Sequence, residues 1–565
     1  MKYLRLTAFL LAFALLFVFS GCENNTDDNQ NGEENKFVIY YDDDALTAAL
    51  TSLTENRIFG GRKIEIKLTN GLMNVLSTEN AAAYIADTKN DLSGFFEKGY
   101  FGDLTGDSSL SGLTSLIPNG IQLNSTGIGN YGIPLMLEAY GYIVDTDMLK
   151  ALFGAEYKSL LEDLRTCSYT DFEGFVAAVD TYIAAPSEAT VTVNGTEYTF
   201  SAEKTGKAEK LTGVFSMNAK DSDVSEYLLS TVLGAKFRNR LETFKATEED
   251  TAGLKDLLNA YVDVLDLHSS HVAGTEGSIG RGDMLTGGDY DYSASIDAFT
   301  NGYALFYPGS TADAADFGKS SEDFGGNLDI IPMKLPLSDS DITAPDMTAE
   351  KLQRSIVIGS RYYLAVNPKA AAGDVKLAKD LAKWLYSDET GKALFAKAFG
   401  GVPFNYGYED TEEQSGSMPE TSIDESSGNV NEVPSGDMTS GNSASENLNS
   451  EARNAKKNNE GYSATASENL NSEARNARMN ARSGETVLSA EPNYEITDSL
   501  MAAVAKYYAE GNWVPALANA LPGGFVKDIL GDNLPTYWGK EIWETADREN
   551  FVDMIIGGWN EKMKK

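Results

Sequence analysis

Three short motifs in the chain have residue types and spacings that could support ligand or metal chemistry. The segment Gly-Ile-Gly-Asn-Tyr-Gly at 127–132 matches G-x-G-x-x-G, a nucleotide-binding pattern that needs a strand before it and a helix after it. Here Ile133-Pro134 and a strand-like run follow at once. The motif therefore favours a glycine-rich turn, and no nucleotide cofactor is predicted.

The other two motifs concern metal ions. His268 and His271 are the only histidines and could share one face of a helix, but a specific zinc site needs about four ligands and no Cys or His cluster provides the rest. Asp289 begins a calcium-loop-like segment in which Ala294 replaces the required Gly and Thr300 replaces the closing Glu. We therefore predict no metal site and interpret the histidine pair as a polar helix end.

No residue set in the sequence selects a catalytic function. The chain contains no G-x-S-x-G, P-loop or H-E-x-x-H motif. Its 84 Asp and Glu residues could include an acid–base pair, but nothing in their spacing singles out two of them. We predict that the protein is not an enzyme, with no catalytic residues and no cofactor.

The N-terminus has the pattern of an export signal. Residues 1–5 are basic, residues 6–19 are apolar, and Ser20-Gly21 precedes Cys22. The apolar run is shorter than the roughly 20 residues that span a membrane. Its ending resembles the lipobox of bacterial lipoproteins, which implies that Cys22 is lipidated and begins the mature chain. The alternative is ordinary cleavage near Gly21 without lipidation.

Composition limits the partners and the kind of core. Residues 23–36 are acidic and amide-rich with no apolar residue, so we expect a flexible tether after Cys22. The net charge of −38 opposes binding to nucleic acid, which needs clustered Lys and Arg. With Cys22 lipidated, Cys167 has no disulfide partner and is interpreted as a small buried apolar residue.

Hydrophobic periodicity places these residues on an α/β framework. From Phe37 onward, strand-like runs at 37–41, 63–68 and 81–86 alternate with helical segments, which implies βαβ units and a parallel sheet covered on both faces. The middle of the chain is more helical, at 170–183, 222–235 and 251–268. Between these helices, Asn194-Gly195 predicts a two-residue hairpin turn.

One segment departs from this pattern. Residues 409–492 have almost no aromatic or branched apolar side chains, and a twelve-residue sequence at 444–455 recurs identically at 466–477, a 22-residue repeat. About three repeats are needed to bury a core, and each copy contains one Leu. We predict a disordered or marginally helical low-complexity insertion.

Four segments, taken in order, resemble the extracellular solute-binding proteins of ABC importers, in particular the carbohydrate-binding branch (family 1-like). They lie at 95–105, 131–145, 298–306 and 378–403, and the likeness spans roughly 37–404 and, more loosely, 496–565. The resemblance implies an α/β, two-lobed periplasmic-binding-protein-like (type II) fold with hinge-linked lobes. The implied divisions are a signal peptide at 1–21, a lipidated Cys and tether at 22–36, lobe 1 at 37–137 and 337–403, lobe 2 at 138–336, 404–408 and 493–565, and the insertion at 409–492.

Ligand contacts are then expected at strand ends and crossovers. Asp42 and Asp43 follow the first strand, where ligands approach open α/β sheets. Their alternative role is N-capping of the helix that begins near Ala45. Residues beside the other crossing strands complete this group: Tyr307, Ser310, Ser360 and Arg361.

Two further sites follow only from the resemblance. Some relatives place a ligand-contacting acid on the first crossover, which implies Glu138, and a stacking aromatic late in the chain, which implies Tyr537 and Trp538. Each of these aromatics is also a candidate for the apolar core.

The function that the resemblance implies is capture of a small solute, with a sugar or oligosaccharide favoured, in a cleft between lobes. The partners would be permease subunits of an ABC importer, and the protein would be a monomer held by its lipid anchor to the periplasmic or extracellular face of a bacterial membrane. Two alternatives are a surface-anchored glycan hydrolase and a structural or adhesive lipoprotein that acts through the repeat segment.

Overall fold

The computed structural model describes residues 36–406 and 498–563. The predicted signal peptide, Cys22, the predicted tether apart from Lys36, and the insertion predicted at 409–492 lie outside the described residues. Within the two ranges, the gaps are 56, 89, 91, 125–128, 218–222, 238–239, 248–249, 252, 275–276, 280–290, 315, 318–323, 325–326, 346, 388, 400, 517–528, 531–532 and 541.

The described chain contains both strands and helices, which alternate in its first part and form runs of consecutive helices in the middle. The strands are β1 (Lys36–Tyr41), β2 (Ile58–Phe59), β3 (Arg62–Leu68), β4 (Ala83–Asp87), β5 (Ile133–Pro134), β6 (Glu138–Asp145), β7 (Thr190–Val193), β8 (Thr196–Thr199), β9 (Gly213–Phe215), β10 (Val272–Ala273), β11 (Ser278–Ile279), β12 (Ala304–Ser310), β13 (Leu328–Ile331), β14 (Ile356–Gly359), β15 (Tyr362–Val366) and β16 (Trp513–Pro515). The helices are α1 (Thr47–Thr54), α2 (Leu72–Thr78), α3 (Ser93–Glu97), α4 (Ser111–Thr114), α5 (Thr146–Phe153), α6 (Tyr157–Thr166), α7 (Tyr169–Ala184), α8 (Asp223–Gly234), α9 (Arg240–Lys245), α10 (Lys255–Ser270), α11 (Tyr292–Thr300), α12 (Ala349–Gln353), α13 (Ala372–Ser387), α14 (Glu389–Phe399), α15 (Ser499–Glu510), α16 (Leu534–Trp538) and α17 (Thr545–Met563).

The strands form two main sheets, one in each lobe. The lobe 1 sheet has the order β2-β3-β1-β4-β15-β5, and its strands β1, β3 and β4 are parallel. The lobe 2 sheet has the order β11-β10-β9-β12-β6-β14-β16, with β13 also paired to β6. Helices cover both faces of each sheet, because the strands are apolar on both sides: every residue of β4, β6, β12 and β15 is buried.

Local chemistry sets the ends of several helices. Asp145 ends β6, and its carboxylate accepts the Asp147 N–H at 2.9 Å, which caps α5. Ser168 caps α7 in the same way.

The hairpin between β7 and β8 confirms the prediction, since Asn194 and Gly195 both have the positive φ that its turn requires. Helices α7, α8 and α10 confirm the three predicted in the middle of the chain.

Three extended segments, here called crossovers, lie at the junction of the two lobes, and the first bonds to residues at the other two. The first lies between β5 and β6, the second between β14 and β15, and the third follows α14. The Leu135 N–H in the first crossover donates to the Tyr362 carbonyl at 2.9 Å, and the Leu137 N–H donates to the Val402 carbonyl in the third at 2.8 Å. The lobes are therefore linked by a bonded set of extended segments.

The second crossover differs from the prediction. The sequence predicts that lobe 1 resumes at 337, but β14 pairs with β6 and β16 in the lobe 2 sheet. Residues 356–359 therefore belong to lobe 2, and the chain crosses at Ser360-Arg361. The apolar runs of β14 and β15 look alike in the sequence, and only their distant pairing partners assign them to different sheets.

None of the helices in the described part of the chain has the length and apolar character needed to cross a bilayer.

Candidate functional site

The edges of the two sheets that adjoin the crossovers carry the ends of several strands. In lobe 1, β1 and β4 end beside the start of β15. In lobe 2, β12 and β14 end beside the start of β6, with Ser310 opposite Tyr140 and Gly359 opposite Glu138. Residues that follow these strands therefore lie beside the crossovers, at strand ends of the kind where open α/β sheets bind ligands.

An ion-paired group, the lobe 1 cluster, occupies the lobe 1 edge. The Arg361 guanidinium donates to both carboxylate oxygens of Asp87, at 2.9 and 2.7 Å, and to Asp43 Oδ2 at 2.6 Å. The Tyr362 hydroxyl donates to the same Asp43 oxygen at 2.6 Å, and the Arg361 guanidinium lies 4.6 Å from the Tyr362 ring centre. We define the lobe 1 cluster as these four residues together with Asp42 and Asn90.

The adjacent aspartates Asp42 and Asp43 have different environments. Asp43 accepts from Arg361 and Tyr362, and also from the Ala45 N–H at 3.0 Å, so it caps the helical turn that follows in addition to forming its ion pair. Asp42 is half-buried, and its Oδ2 accepts from the Asn90 side-chain amide at 3.2 Å. Burial, followed by the charge of Asp87, raises the pKa of Asp42 above its ordinary value.

The lobe 2 edge begins with a buried carboxylate. Glu138, the first residue of β6, is 3 % exposed, and its Oε2 accepts from the Tyr140 hydroxyl at 3.1 Å. Next to it, the Ala139 N–H donates to the Thr311 hydroxyl at 3.1 Å, which attaches the end of β12 to the start of the first crossover. The predicted acid thus lies directly after the first crossover, and its contact with ligand stays a prediction.

A second group, the lobe 2 cluster, follows β12. Tyr307 and the Ser310 N–H both donate to Asp313 Oδ2, at 2.9 and 3.2 Å. The Tyr292 hydroxyl contacts Asp316 Oδ2 at 2.8 Å and Asp313 Oδ1 at 3.1 Å. Tyr307 and Ser310 are buried, whereas Tyr292, Asp313 and Asp316 are partly exposed. We define the lobe 2 cluster as these five residues; within it, the two predicted residues hold the aspartate in place.

The structure places the two predicted late aromatics in the apolar core of lobe 2. Trp538 is fully buried, and the Tyr537 ring stacks between Trp543 and Phe551 at centre-to-centre distances of 3.8 and 4.5 Å. Their burial corresponds to the core alternative, and ligand contact by either residue stays a prediction. Ser360, in the second crossover, is buried and donates to the Tyr362 carbonyl at 2.9 Å.

His268, His271 and Cys167 are surrounded by other side chains of the fold. His268 is fully buried, with its Nε2 2.7 Å from the Tyr142 hydroxyl, and burial lowers the pKa of His268 to about 3. His271 Nδ1 lies 3.6 Å from Asp180. Burial raises the pKa of the Cys167 thiol to about 11. Among the described residues, no group of His, Cys, Asp and Glu has the arrangement of a metal site.

Several residues of these clusters are absent from the sequence prediction. Asp87 directly follows an apolar run, so the strand-end argument that selected Asp42 also applies to it. Asn90, Tyr292, Asp313 and Asp316 carry no comparable signal, since they lie in helices and turns whose approach to the cleft depends on the tertiary fold.

Comparison with known proteins gives a family and a set of remote structural likenesses. Residues 60–419 match the family model described as bacterial extracellular solute-binding protein. No curated protein matches the chain. The solute-binding protein RafE, known from Streptococcus pneumoniae, is similar in its complex with raffinose at 11 % identity and a TM-score of 0.46, covering 94 % of this chain and 100 % of that one.

Two further solved structures have similar scores. A solute-binding protein of Streptococcus pneumoniae in complex with the blood group A-trisaccharide has 14 % identity and a TM-score of 0.45, covering 92 % of this chain and 100 % of its own. A periplasmic solute-binding protein of Pectobacterium atrosepticum has 12 % identity and a TM-score of 0.47, covering 94 % of this chain and 98 % of its own. The family match covers more than half of the sequence, and on that ground the chain belongs to the bacterial extracellular solute-binding proteins.

Proposed function

We propose that the protein captures a sugar or oligosaccharide between its lobes and delivers it to an ABC importer while anchored to the membrane through Cys22. The observation that carries the proposal is the pair of polar clusters at the ends of strands beside the crossovers, one in each lobe. A ligand held between them contacts both lobes at once.

The chemistry of the two clusters suits a polyhydroxylated ligand. Sugar hydroxyls donate to carboxylates, which are strong acceptors, and Asp42 and Asp313 are partly exposed carboxylates, one on each side. Sugar rings also present apolar CH faces that pack against aromatic rings. Tyr292, partly exposed beside Asp313, supplies such a ring in lobe 2.

Binding would act by shifting a conformational population. A ligand that touches both lobes makes more contacts when they are close, so it stabilises the closed arrangement by the free energy of those extra contacts. The permease would then distinguish loaded from empty protein by the relative position of the lobes. Micromolar affinity would correspond to about −8 kcal/mol.

The ligand class is tested by thermal shift and calorimetry on the full mature chain carrying Cys22→Ser, with raffinose, maltotriose, xylotriose, a tripeptide and spermidine as probes. We expect one or more sugars to raise the melting temperature. Asp42→Asn should weaken binding of that sugar about tenfold, or 1.4 kcal/mol, because an acceptor for its hydroxyls is lost.

The matched control is Asp553→Asn, an aspartate on α17 whose side chain is 63 % exposed, which should leave affinity unchanged. Stabilisation by the tripeptide or spermidine alone would contradict the sugar assignment. The recovered sugar is analysed by chromatography: intact oligosaccharide agrees with capture, whereas cleaved products would favour the hydrolase alternative.

Anchoring is tested separately in cells. Cys22→Ser should release the protein from the membrane fraction and reduce sugar uptake, because the importer would no longer have its binding protein held nearby, while affinity in vitro stays the same. Fractionation by immunoblot and uptake of labelled sugar measure the two effects. A Cys22→Ser protein that stays with the membranes would argue against lipidation at this residue.

A further inference from the structure

We propose that Arg361 is a positioning residue of the cleft, which attaches the second crossover to lobe 1 and so confines bending at that crossover to Ser360. The inference rests on the proposed function only in taking the space between the lobes as the ligand site. Arg361 was predicted from the sequence to contact ligand, and its contacts assign it a different task.

The attachment of Arg361 to lobe 1 uses both its side chain and its main chain. Its guanidinium bonds Asp87 at the end of β4 and Asp43 after β1. Its carbonyl accepts the Thr88 N–H at 3.0 Å. A planar guanidinium that bonds one carboxylate through two parallel N–H groups fixes direction as well as distance. Arg361 therefore moves with the lobe 1 sheet.

The residue two positions earlier is attached just as firmly to lobe 2. Gly359 pairs with Glu138 in the lobe 2 sheet, and a Cβ at Gly359 would lie 2.6 Å from the Ala516 side chain, so its backbone is closely packed there. Only Ser360 lies between the two attachments. Rotation of the lobes at this crossover must therefore occur in the backbone around Ser360.

Removing the guanidinium should lengthen the part of the crossover that can bend. In Arg361→Gln, the side-chain bonds to Asp43 and Asp87 are lost, and only the main-chain bond from the Thr88 N–H and the pairing of β15 still hold this position to the lobe 1 edge. The lobes of the ligand-free protein should then sample a wider range of separations. Because fewer molecules would be ready to close correctly, any sugar that binds the parent should bind about tenfold more weakly.

The experiment measures lobe separation without any ligand. Nitroxide labels are placed at Glu97→Cys in lobe 1 and Lys158→Cys in lobe 2, both exposed, in the full mature chain with Cys22→Ser. Cys167 is buried, and labelling of the Cys22→Ser chain alone checks that it does not react. Double electron–electron resonance should give a distance distribution about twice as wide in Arg361→Gln as in the parent.

Arg548→Gln is the matched control. Arg548 also bonds two aspartates, Asp263 and Asp266, and its side chain is 29 % exposed compared with 23 % for Arg361, but all three residues lie in lobe 2. This variant should lose stability without widening the distribution. Arg361→Lys keeps the charge but not the paired N–H geometry, so it should give an intermediate width.

Each outcome decides the proposal. A parent-like width in both Arg361 variants, or equal widening in Arg548→Gln, would overturn it. If Arg361→Gln does not fold, as judged by near-ultraviolet circular dichroism, Arg361→Lys and Asp87→Asn carry the test, and narrow distributions in both would reject it. If no sugar binds the parent, the proposed ligand class fails while the ligand-free distances still decide the role of Arg361.

Discussion

Acidification from pH 6.5 to pH 4 should cost the protein about 3 kcal/mol of stability through one side chain, His268. Its imidazole is fully buried against Tyr142, and Nε2 lies 2.7 Å from the Tyr142 hydroxyl. Burial lowers the pKa of His268 from 6.5 to about 3. In the unfolded chain, the same imidazole protonates near pH 6.5.

The sign of this pH dependence follows from the number of protons that the folded and unfolded states bind. Between the two pKa values the unfolded state binds more protons than the folded state, so the free energy of unfolding falls as the pH falls. The stabilisation from a neutral His268 is complete above pH 6.5 and is lost progressively towards pH 3. Buried carboxylates add their own dependence, so the effect of His268 must be measured as a difference.

Urea denaturation at several pH values, in the parent and in His268→Gln, provides that difference. The variant should be less stable than the parent at pH 7.5, because packing beside Tyr142 is disturbed. Between pH 7.5 and pH 4, however, its free energy of unfolding should fall by about 3 kcal/mol less than that of the parent. His271→Gln serves as the control, since this histidine is more exposed. Parallel pH profiles for the parent and His268→Gln would contradict the expectation.

Replacement of Lys334 by alanine should destabilise the protein by about 3–5 kcal/mol. Lys334 is fully buried, and its ammonium donates to the carbonyls of Arg165 at 2.9 Å and Gln353 at 2.6 Å. These carbonyls lie in the last turns of α6 and α12, whose final C=O groups have no partner inside their own helices. One ammonium therefore closes the ends of two helices, and alanine would leave both carbonyls buried beside a cavity.

Lys334→Met separates these contributions. Methionine fills the space of the stem but cannot donate, and it also removes the cost of burying a charge, so its loss should be about 2 kcal/mol smaller than that of alanine. Unfolding in urea, followed by tryptophan fluorescence at pH 7, measures both variants. Losses below about 1 kcal/mol in both would show that the helix ends do not depend on the ammonium.

Lys334 should also make the free energy of unfolding depend on pH in the alkaline range. Burial lowers the pKa of Lys334 to about 8 from 10.5. Between these values the unfolded state binds more protons, so the parent should gain stability relative to Lys334→Met as the pH rises, by up to about 3 kcal/mol. A constant difference between pH 7 and pH 10.5 would contradict this.

Much of the framework could be predicted because it depends on local patterns. The buried strands, the helices of the middle region and the Asn194-Gly195 turn all have short-range sequence signals. The point where the chain re-enters lobe 1 could not be predicted, because β14 and β15 are similar apolar runs separated by two residues. The two strands are assigned to different sheets only by the strands they pair with, such as the one that begins at Trp513, far along the chain.

The site was predictable to the extent that it follows strand ends. The strand-end rule selects Asp42 and Asp43 and the family resemblance selects Glu138, and ligand contact by all three stays a prediction. The role of Arg361 could not be read from the sequence, because an arginine next to a crossover can equally face a ligand or pair with lobe 1 acids. The pairing with Asp43 and Asp87 involves residues 318 and 274 positions away in the sequence, so no local pattern could predict it.

The pairing of β14 with β16 has a consequence for the entropy of chain closure. Ile356 lies beside Trp513, so this pair closes a stretch of roughly 160 residues, about half of which is the segment 409–492. The entropic cost of closure grows only with the logarithm of length, and each doubling adds about 0.6 kcal/mol. Doubling the number of residues between these two strands therefore changes the entropic cost of bringing them together by less than about 1 kcal/mol, so the β14–β16 pairing depends little on how long the intervening sequence is.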